Sequence, residues 1–307
     1  MPTSLPFAAL IAGAFALSTA AATDSPDPLT RPMPGKPEWT RAHAPIRVYG
    51  NTWYVGSEGI SAVLVDTGAG LVLLDVGLPQ SAPLVEANIA KLGFKLKDVK
   101  YVLNSHAHFD HAGGIAALVR DSGATALASP SGAKALREGH VVADDPQASD
   151  VANATFPAAA RVREIADGEA MRLGTTAITA HFTPGHTPGS TTWTWKSCEN
   201  GKCLDVVYSD SLSAFATGGF HFLADATHGD LTESFRKSIR TVANLPCDIL
   251  ISTHPDASGA DERLAKLAIQ REPNPMIDTQ ACRRFAANYE KMLDKRIAEE
   301  TKAVQAH

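Results

Sequence analysis

One short segment constrains this chain more than any other. Residues 104–114 read Asn-Ser-His-Ala-His-Phe-Asp-His-Ala-Gly-Gly, which places three histidines and an aspartate within six positions. The segment follows an apolar run typical of a buried strand, and in extended backbone side chains two apart point the same way. We therefore expect His106, His108 and Asp110 to converge, while His111, at the expected start of a helix, points elsewhere. This arrangement favours two neighbouring metal ions, one near the two flanking imidazoles and one near Asp110 and His111.

Each predicted site needs a further ligand, because a catalytic zinc usually keeps three protein ligands and leaves its fourth position to water. The chain offers His186 within Thr-Pro-Gly-His-Thr-Pro-Gly-Ser and His254 within Ser-Thr-His-Pro, each just beyond a predicted strand. A lone histidine after a strand is usually a surface residue. We interpret the other histidines in that way: His43, His140, His181, His221, His228 and His307.

Composition and charge exclude some partners. Hydrophobic residues make up 44% of the 307 positions and charged residues 20%, which is ordinary globular usage. The net charge is -5 and neither sign forms a long run. We therefore predict no nucleic-acid surface and no membrane anchor in the mature chain.

The first residues predict export. Leu5 to Leu17 is apolar, and Ala20-Ala21-Ala22 supplies the small residues that signal peptidase reads. The apolar run is shorter than the roughly 20 residues that a membrane span requires. We predict a signal peptide at residues 1–22, cleaved after Ala22, an extended proline-rich lead-in at 23–45, and a periplasmic or secreted protein.

The four cysteines suit an oxidising compartment. Cys198 and Cys203 flank an Asn-Gly turn signal and could bridge across a hairpin. A Cys247–Cys282 bridge would close a loop that the chain-entropy model values at about 4 kcal/mol. The alternative for each cysteine is a reduced, buried thiol, which export disfavours.

The periodicity predicts two strand-rich halves, each flanked by helices, and hence an α+β, four-layer αβ/βα sandwich formed by a single domain over residues 46–307. A last, long helix places Ala281, Phe285, Tyr289, Leu293 and Ile297 on one stripe. Further strands are expected at 61–66, 70–75, 99–103, 124–129, 170–181, 191–195, 204–208 and 248–252, and further helices at 84–92, 113–120, 132–137 and 231–242.

The run His-Ala-His-Phe-Asp-His at 106–111 resembles the His-x-His-x-Asp-His signature of the metallo-β-lactamase superfamily, and His186 and His254 fall in the family's order. The resemblance covers nearly the whole chain from about Ile46 onward. It implies the four-layer fold, with metals at one edge of the two sheets.

The Asp-Ser-Leu-Ser-Ala run at 210–214 resembles class B β-lactamases of subclass 3. Many other superfamily members, such as glyoxalase II and the acyl-homoserine lactonases, use an aspartate near Asp210 to bridge both metals. The subclass resemblance implies two zinc ions, substrate contacts from Ser211 and Ser213, and a Cys247–Cys282 disulfide. It assigns His106, His108 and His186 to the first zinc and Asp110, His111 and His254 to the second.

The function implied by this resemblance is hydrolysis of the β-lactam ring of penicillins, cephalosporins and carbapenems. A metal-bound hydroxide would attack the lactam carbonyl, and Asp110 would orient it. Two alternatives stay open at this point. One is a two-metal lactonase or thioesterase of the same fold, and the other is a non-catalytic exported protein that uses zinc for structure.

Overall fold

The computed structural model of the protein describes residue 1 and residues 27–305, without the side chain of Val304. Residues 2–22 of the predicted signal peptide and His307 lie outside the described residues. Within the described part, the strands are β1 (Ile46–Tyr49), β2 (Thr52–Tyr54), β3 (Val63–Asp66), β4 (Leu71–Leu74), β5 (Val99–Leu103), β6 (Thr125–Ala128), β7 (Val162–Glu164), β8 (Ala170–Leu173), β9 (Thr176–Phe182), β10 (Thr191–Glu199), β11 (Lys202–Ser209) and β12 (Ile249–Ser252).

Helices alternate with these strands, and several of them are single turns. They are α1 (Pro37–Thr40), α2 (Ala82–Lys91), α3 (Phe109–Ala112), α4 (Ile115–Ser122), α5 (Pro130–Glu138), α6 (Thr232–Asn244), α7 (Pro255–Ser258), α8 (Ala260–Ile269) and α9 (Ala281–Gln305).

The strands form two mixed sheets. The first has the order β1-β2-β3-β4-β5-β6-β7, antiparallel as far as β4 and parallel from β4 to β7. The second has the order β12-β11-β10-β9-β8 and is antiparallel except for the pair β11–β12. The parallel pairs are joined through helices, as parallel connections require.

Side chains from the inner faces of both sheets fill the centre of the molecule. Val65 and Leu74 of the first sheet belong to one buried cluster with Trp193, Val206 and Ile251 of the second. The outer faces bury separate clusters beneath helices. Those clusters join the first sheet to α2, α4 and α5, and the second sheet to α6 and α9.

This helix–sheet–sheet–helix order confirms the predicted αβ/βα sandwich. The expected stripe on α9 packs against the second sheet, with Phe285 and Leu293 buried and Tyr289 and Ile297 partly buried. The periodicity missed α7 and α8, which follow β12 directly. No helix among the described residues is long and apolar enough to span a membrane.

The segment that precedes β1 lies against the sandwich. From residue 27 to residue 45 it holds a 3-10 turn at Pro28–Thr30 and the single turn α1. Asp27 pairs with Arg120 at 2.7 Å, and Met33 exchanges backbone hydrogen bonds with the Gln80 side chain. The segment therefore contributes packing as well as a connection.

Both cysteine pairs form disulfides. Cys198 and Cys203 face each other across the β10–β11 hairpin, and Cys247 joins the loop after α6 to Cys282 in the first turn of α9. The second bridge closes 35 residues and the first only 5. The longer loop removes more freedom from the unfolded chain.

We expect a Cys247→Ser/Cys282→Ser double variant to lose about 4 kcal/mol of unfolding free energy, against about 2 kcal/mol for Cys198→Ser/Cys203→Ser, because loop-closure entropy grows with loop length. Urea unfolding under oxidising conditions measures both. An equal loss from the two double variants would contradict the entropic account.

Candidate metal centre

Three loops, each following a strand, bring the predicted ligands together at one edge of the sandwich. The loop after β5 of the first sheet carries His106, His108, Asp110 and His111. The loops after β9 and β12 of the second sheet carry His186 and His254.

The first of these loops does not run as the alternation predicted. His108 is extended and forms the N-cap of α3, whereas Asp110 and His111 are consecutive residues of that helical turn. The expectation that Asp110 continues an extended backbone is therefore wrong. The helical turn places Asp110 beside His111, and the His111 ring stays close to that of His106, with ring centroids 4.3 Å apart.

Asp110, His111 and His254 present a tight triangle of donor atoms. The Nε2 atoms of His111 and His254 are 3.2 Å apart, and Asp110 Oδ2 lies 3.3 Å from the first and 3.4 Å from the second. Ligands about 2.0–2.1 Å from a zinc ion at the corners of a tetrahedron are about 3.3 Å apart. The triangle therefore has the dimensions of one face of a zinc coordination shell.

His106, His108 and His186 form the second group. Their ring centroids are 4.7 to 4.9 Å apart, and one possible ligand atom from each lies within 4.8 Å of the others. His106 also groups with Asp110 and His111 within the same limit. The two triads therefore adjoin, as a two-metal site requires.

Each of four imidazoles has one nitrogen engaged with an oxygen outside the cluster, which leaves its other nitrogen for the cluster. Partners of this kind orient metal-binding histidines and fix their tautomer. The contacts are His106 Nδ1 to Asp210 Oδ1 at 2.6 Å, His186 Nδ1 to the Ser213 carbonyl at 2.9 Å, His254 Nδ1 to the Gly59 carbonyl at 3.3 Å, and His108 Nε2 to the Asp145 carboxylate at 3.1 and 3.2 Å.

Burial keeps part of the first triad neutral. It lowers the pKa of His186 to about 3, with the neighbouring imidazoles adding to the effect. Burial and the facing imidazoles also hold the pKa of His106 well below its usual value. A neutral imidazole is the form that offers a lone pair to a metal ion.

Asp110 behaves in the opposite way. Burial alone raises its pKa, but His111 and His254 outweigh that effect and hold the pKa well below its usual value. The pKa of His111 is raised in turn, because Asp110 outweighs the effect of burial. The carboxylate is therefore anionic, and the triad formed by these three residues combines one negative charge with two imidazoles.

Asp75, which follows β4, lies beneath the cluster. It is fully buried and accepts hydrogen bonds from Ser105 N and Oγ at 2.9 and 2.5 Å, Asn104 Nδ2 at 3.1 Å and the Tyr208 hydroxyl at 2.9 Å. Burial still raises the pKa of this carboxyl to about 6. His111 Nδ1 lies 4.0 Å away.

The cluster forms the floor of a cleft of about 1030 Å³. Trp39 of α1 packs beside His254, with the ring centroids 5.4 Å apart and the ring planes tilted by 44°, so the segment before β1 forms one wall. Ser211, Ser213 and Phe215, from the loop after β11, line the cleft near His186. A small molecule entering the cleft would meet the imidazoles directly.

Comparison with known proteins agrees with this geometry. Residues 55–199 match the family model described as the metallo-beta-lactamase superfamily. The structure is similar to that of MEM-A1, a subclass B3 metallo-β-lactamase isolated from a soil metagenome library, with 46% sequence identity and a TM-score of 0.83 over 86% of this chain and 99% of that one. The chain belongs to the subclass B3 metallo-β-lactamases.

Other relatives are similar to this chain to different degrees. The Rm3 metallo-β-lactamase is 45% identical, with a TM-score of 0.83 over 87% of this chain and 100% of that one. A curated N-acyl homoserine lactonase from Bacillus cereus is 34% identical over 17% of this chain and 30% of its own length. The chain spans less than half the length of the curated relatives that it matches.

Membership of a metallo-β-lactamase subclass implies a metal ion, and the donors described above fit one. The Asp110–His111–His254 triangle has the edge lengths of a zinc shell. Beside it, the buried Nε2 of His106 has no hydrogen-bond partner among the described residues. Imidazole and carboxylate donors are also the ligands that zinc takes in catalytic sites.

Not every site residue was evident from sequence. Asp75 stands directly after an apolar strand, which is a signal that could have identified it, whereas Asp145 and Gln147 lie in an irregular stretch without any pattern. His43, interpreted as a surface residue, is only partly exposed and lines the cleft, where it packs on Tyr54. His140, His181, His221 and His228 are not among the cleft-lining residues.

Gly185 holds the His186 loop against α6. Its φ is +154°, and a Cβ at this position would lie 2.3 Å from the ring of the buried Phe235. Gly114 has a similar role beside α4, where a Cβ would lie 2.6 Å from Val76 Cγ1. Both loops therefore approach their neighbours more closely than any larger residue allows.

We expect Gly185→Ala to lower the unfolding free energy by about 3 kcal/mol, because overpacking adds to an unfavourable backbone conformation. Gly93→Ala is the matched control, since Gly93 has φ +84° but open space around it, and should cost about 1 kcal/mol. Thermal unfolding of the metal-free proteins compares the two variants. Equal losses of unfolding free energy would show that the overlap with Phe235 is not the cause.

Proposed function

We propose that this protein hydrolyses the amide bond of the β-lactam ring and that it does so with two zinc ions. The observation that carries the proposal is the pair of adjoining three-donor groups at the floor of a substrate-sized cleft, in a chain that belongs to the subclass B3 metallo-β-lactamases. His106, His108 and His186 would hold one ion, and Asp110, His111 and His254 would hold the other.

Zinc bound by such donors polarises a carbonyl oxygen and lowers the pKa of a coordinated water to about 7. The protein's own contribution is to position the groups around that chemistry. The tautomers of His106 and His186 are fixed by Asp210 and by the Ser213 carbonyl, so neither ring needs to reorient. Donors that are already aligned spare the site a reorganisation cost during the reaction.

Asp110 has a second function in this scheme. Its low pKa keeps the carboxylate ionised, and only Oδ2 faces the two imidazoles. Its remaining lone pairs are thus available to accept a hydrogen bond from the attacking water and to orient it. A carboxylate that binds one metal ion and also orients the attacking water would connect the functions of the two triads.

Ser211 and Ser213 support recognition of a substrate carboxylate. Both line the cleft, and the backbone of Ser213 is fixed by its hydrogen bond with His186. Their hydroxyls would contact the carboxylate directly or through water. The competing interpretation is that these hydroxyls satisfy backbone groups at the end of β11.

The position of Asp210 supports a β-lactamase over a lactonase or thioesterase. Asp210 Oδ1 is engaged with His106 Nδ1 at 2.6 Å, so this oxygen would anchor a ligand. An aspartate that bridged two metals would instead direct its carboxylate between them. The open cleft also argues against a purely structural zinc site, since such sites are closed.

Two disulfides support export, because disulfides persist in oxidising compartments. We therefore include in the proposal a signal peptide over residues 1–22, a lead-in over 23–45, a single catalytic domain from residue 46 and a periplasmic or secreted location. N-terminal sequencing of the exported protein tests the cleavage site after Ala22.

The purified protein is expected to open the rings of a cephalosporin and a carbapenem, to lose this activity in chelator and to regain it with zinc. The reason is that activation of the water and polarisation of the carbonyl both depend on the metal. Parallel assays with S-lactoylglutathione and a homoserine lactone separate the rival activities. Turnover of the thioester or the lactone without turnover of either β-lactam would refute the proposal, and so would β-lactam hydrolysis that survives exhaustive chelation.

His186→Ala and His254→Ala are each expected to bind about one zinc ion fewer than the unaltered protein. Both should lower kcat by about 10³-fold or more, since several kcal/mol of charge stabilisation are lost. Metal analysis after dialysis gives the stoichiometry. His181→Ala is the matched control, because the His181 side chain is hydrogen-bonded to Thr194 and does not line the cleft. This variant should retain both ions.

A further inference from the structure

Within residues 27–305, Asp145 is a charged partner of the cluster that lies outside the strand-end loops described above. It belongs to the irregular stretch after α5, yet its carboxylate is buried and contacts His108. Both carboxylate oxygens are within hydrogen-bond distance of His108 Nε2, at 3.1 and 3.2 Å. Nothing about its spacing in the sequence connects it with the His-x-His motif.

The backbone of this stretch holds Asp145 in place from three directions. Asp145 N donates to the Val142 carbonyl at 3.1 Å, and the Asp145 carbonyl accepts from Ala148 N at 3.0 Å. Gln147 N donates to Asp145 Oδ1 at 2.8 Å. The carboxylate therefore cannot turn away from His108 without breaking local structure.

A buried carboxylate is stable only when donors face it. Gln147 N–H supplies one donor, and the only ring atom of His108 in reach is Nε2. If His108 carried its proton on Nδ1, the Nε2 lone pair would face an anionic oxygen at about the same distance, which is repulsive. Asp145 therefore requires a proton on Nε2 of His108.

The neighbouring imidazole has the opposite arrangement. Asp210 engages His106 at Nδ1, which leaves Nε2 of His106 toward the cluster. Two imidazoles only two residues apart are thus held in opposite tautomers by two buried carboxylates. The nitrogen that faces the cluster is Nε2 in His106 and Nδ1 in His108, and the side-chain amide nitrogen of Gln147 lies 3.4 Å from the latter.

We propose that Asp145 is a positioning residue that selects Nδ1 of His108 as its metal-binding nitrogen by retaining the proton on Nε2. This inference rests on the metal assignment made under the proposed function, since Asp145 acts only through His108. It adds to the site the loop after α5, which supplies no ligand of its own.

Asp145→Asn is the informative variant because it preserves shape and removes the charge. Gln147 N–H would retain the amide oxygen at the Oδ1 position, 3.1 Å from His108 Nε2, so the amide nitrogen would take the Oδ2 position, 3.2 Å from the same ring atom, and its N–H would compete there with a proton on Nε2. A donor at that position favours the tautomer protonated on Nδ1, which blocks the nitrogen proposed to bind metal. A residue with a merely structural role would tolerate this isosteric change.

Asp144→Asn is the matched control, because Asp144 is the adjacent residue, carries the same charge and is exposed. Nitrogen-15 NMR of histidine-labelled, metal-free protein at alkaline pH reports which ring nitrogen of His108 carries the proton. Competition with a zinc chelator reports the affinity of each site. Neither measurement uses a β-lactam.

In the unaltered protein and in Asp144→Asn, we expect His108 to carry its proton on Nε2. In Asp145→Asn the proton should move to Nδ1, and zinc affinity at one site should fall by about 10–100-fold, the usual effect of removing a metal ligand's partner. A proton on Nδ1 in the unaltered protein would overturn the inference, and that result does not depend on whether the variant folds. Unchanged zinc affinity in a folded Asp145→Asn would overturn it too.

These outcomes are separable from those of the proposed function. If the unaltered protein hydrolyses β-lactams while His108 carries its proton on Nδ1, only the role of Asp145 is lost. If His108 behaves as expected but no β-lactam is hydrolysed, the positioning role stands and the assigned reaction does not.

Discussion

The buried carboxylate of Asp75 connects the parts of the molecule on which the metal centre depends. It accepts hydrogen bonds from Ser105, at the start of the first sheet's loop of candidate ligands, and from Tyr208, on β11 of the second sheet. A buried carboxylate with an uncompensated charge is costly, so this set of donors holds the two sheets in one relative position at the ligand edge. The loops that carry His186 and His254 start from that same edge, and their placement follows from it.

Much of the fold could be predicted from sequence, because strands buried on both faces and amphipathic helices leave strong periodic signals. The run at 99–103 became β5 with the same bounds, and the stripe on α9 packs as expected. The elements that were missed have weaker signals. α7 is a single turn after His254, and α8 follows it without a loop long enough to separate the two patterns.

The candidate site also contains residues that could be predicted from sequence and residues that could not. The candidate ligands of the first motif could be predicted because four donor side chains within six positions have no simple structural explanation. The relative positions of these side chains could not be derived from strand alternation, since α3 begins at Phe109 and places Asp110 on a helical turn. Asp145 escaped prediction for a different reason. Its contact with His108 spans 37 positions and depends on the path of an irregular loop, which periodicity does not encode.

The two triads also differ in how they connect the molecule. One joins His106 and His108 of the first sheet's loop to His186 of the second, and the other joins Asp110 and His111 to His254. Any cation held by either triad would therefore bridge both halves of the sandwich and bind the folded chain in preference to the unfolded one. By thermodynamic linkage, the supply of metal in the surroundings would set the fraction of unfolded chain that proteases can attack. Scarcity of the ion would thus act on the lifetime of the protein as well as on its chemistry.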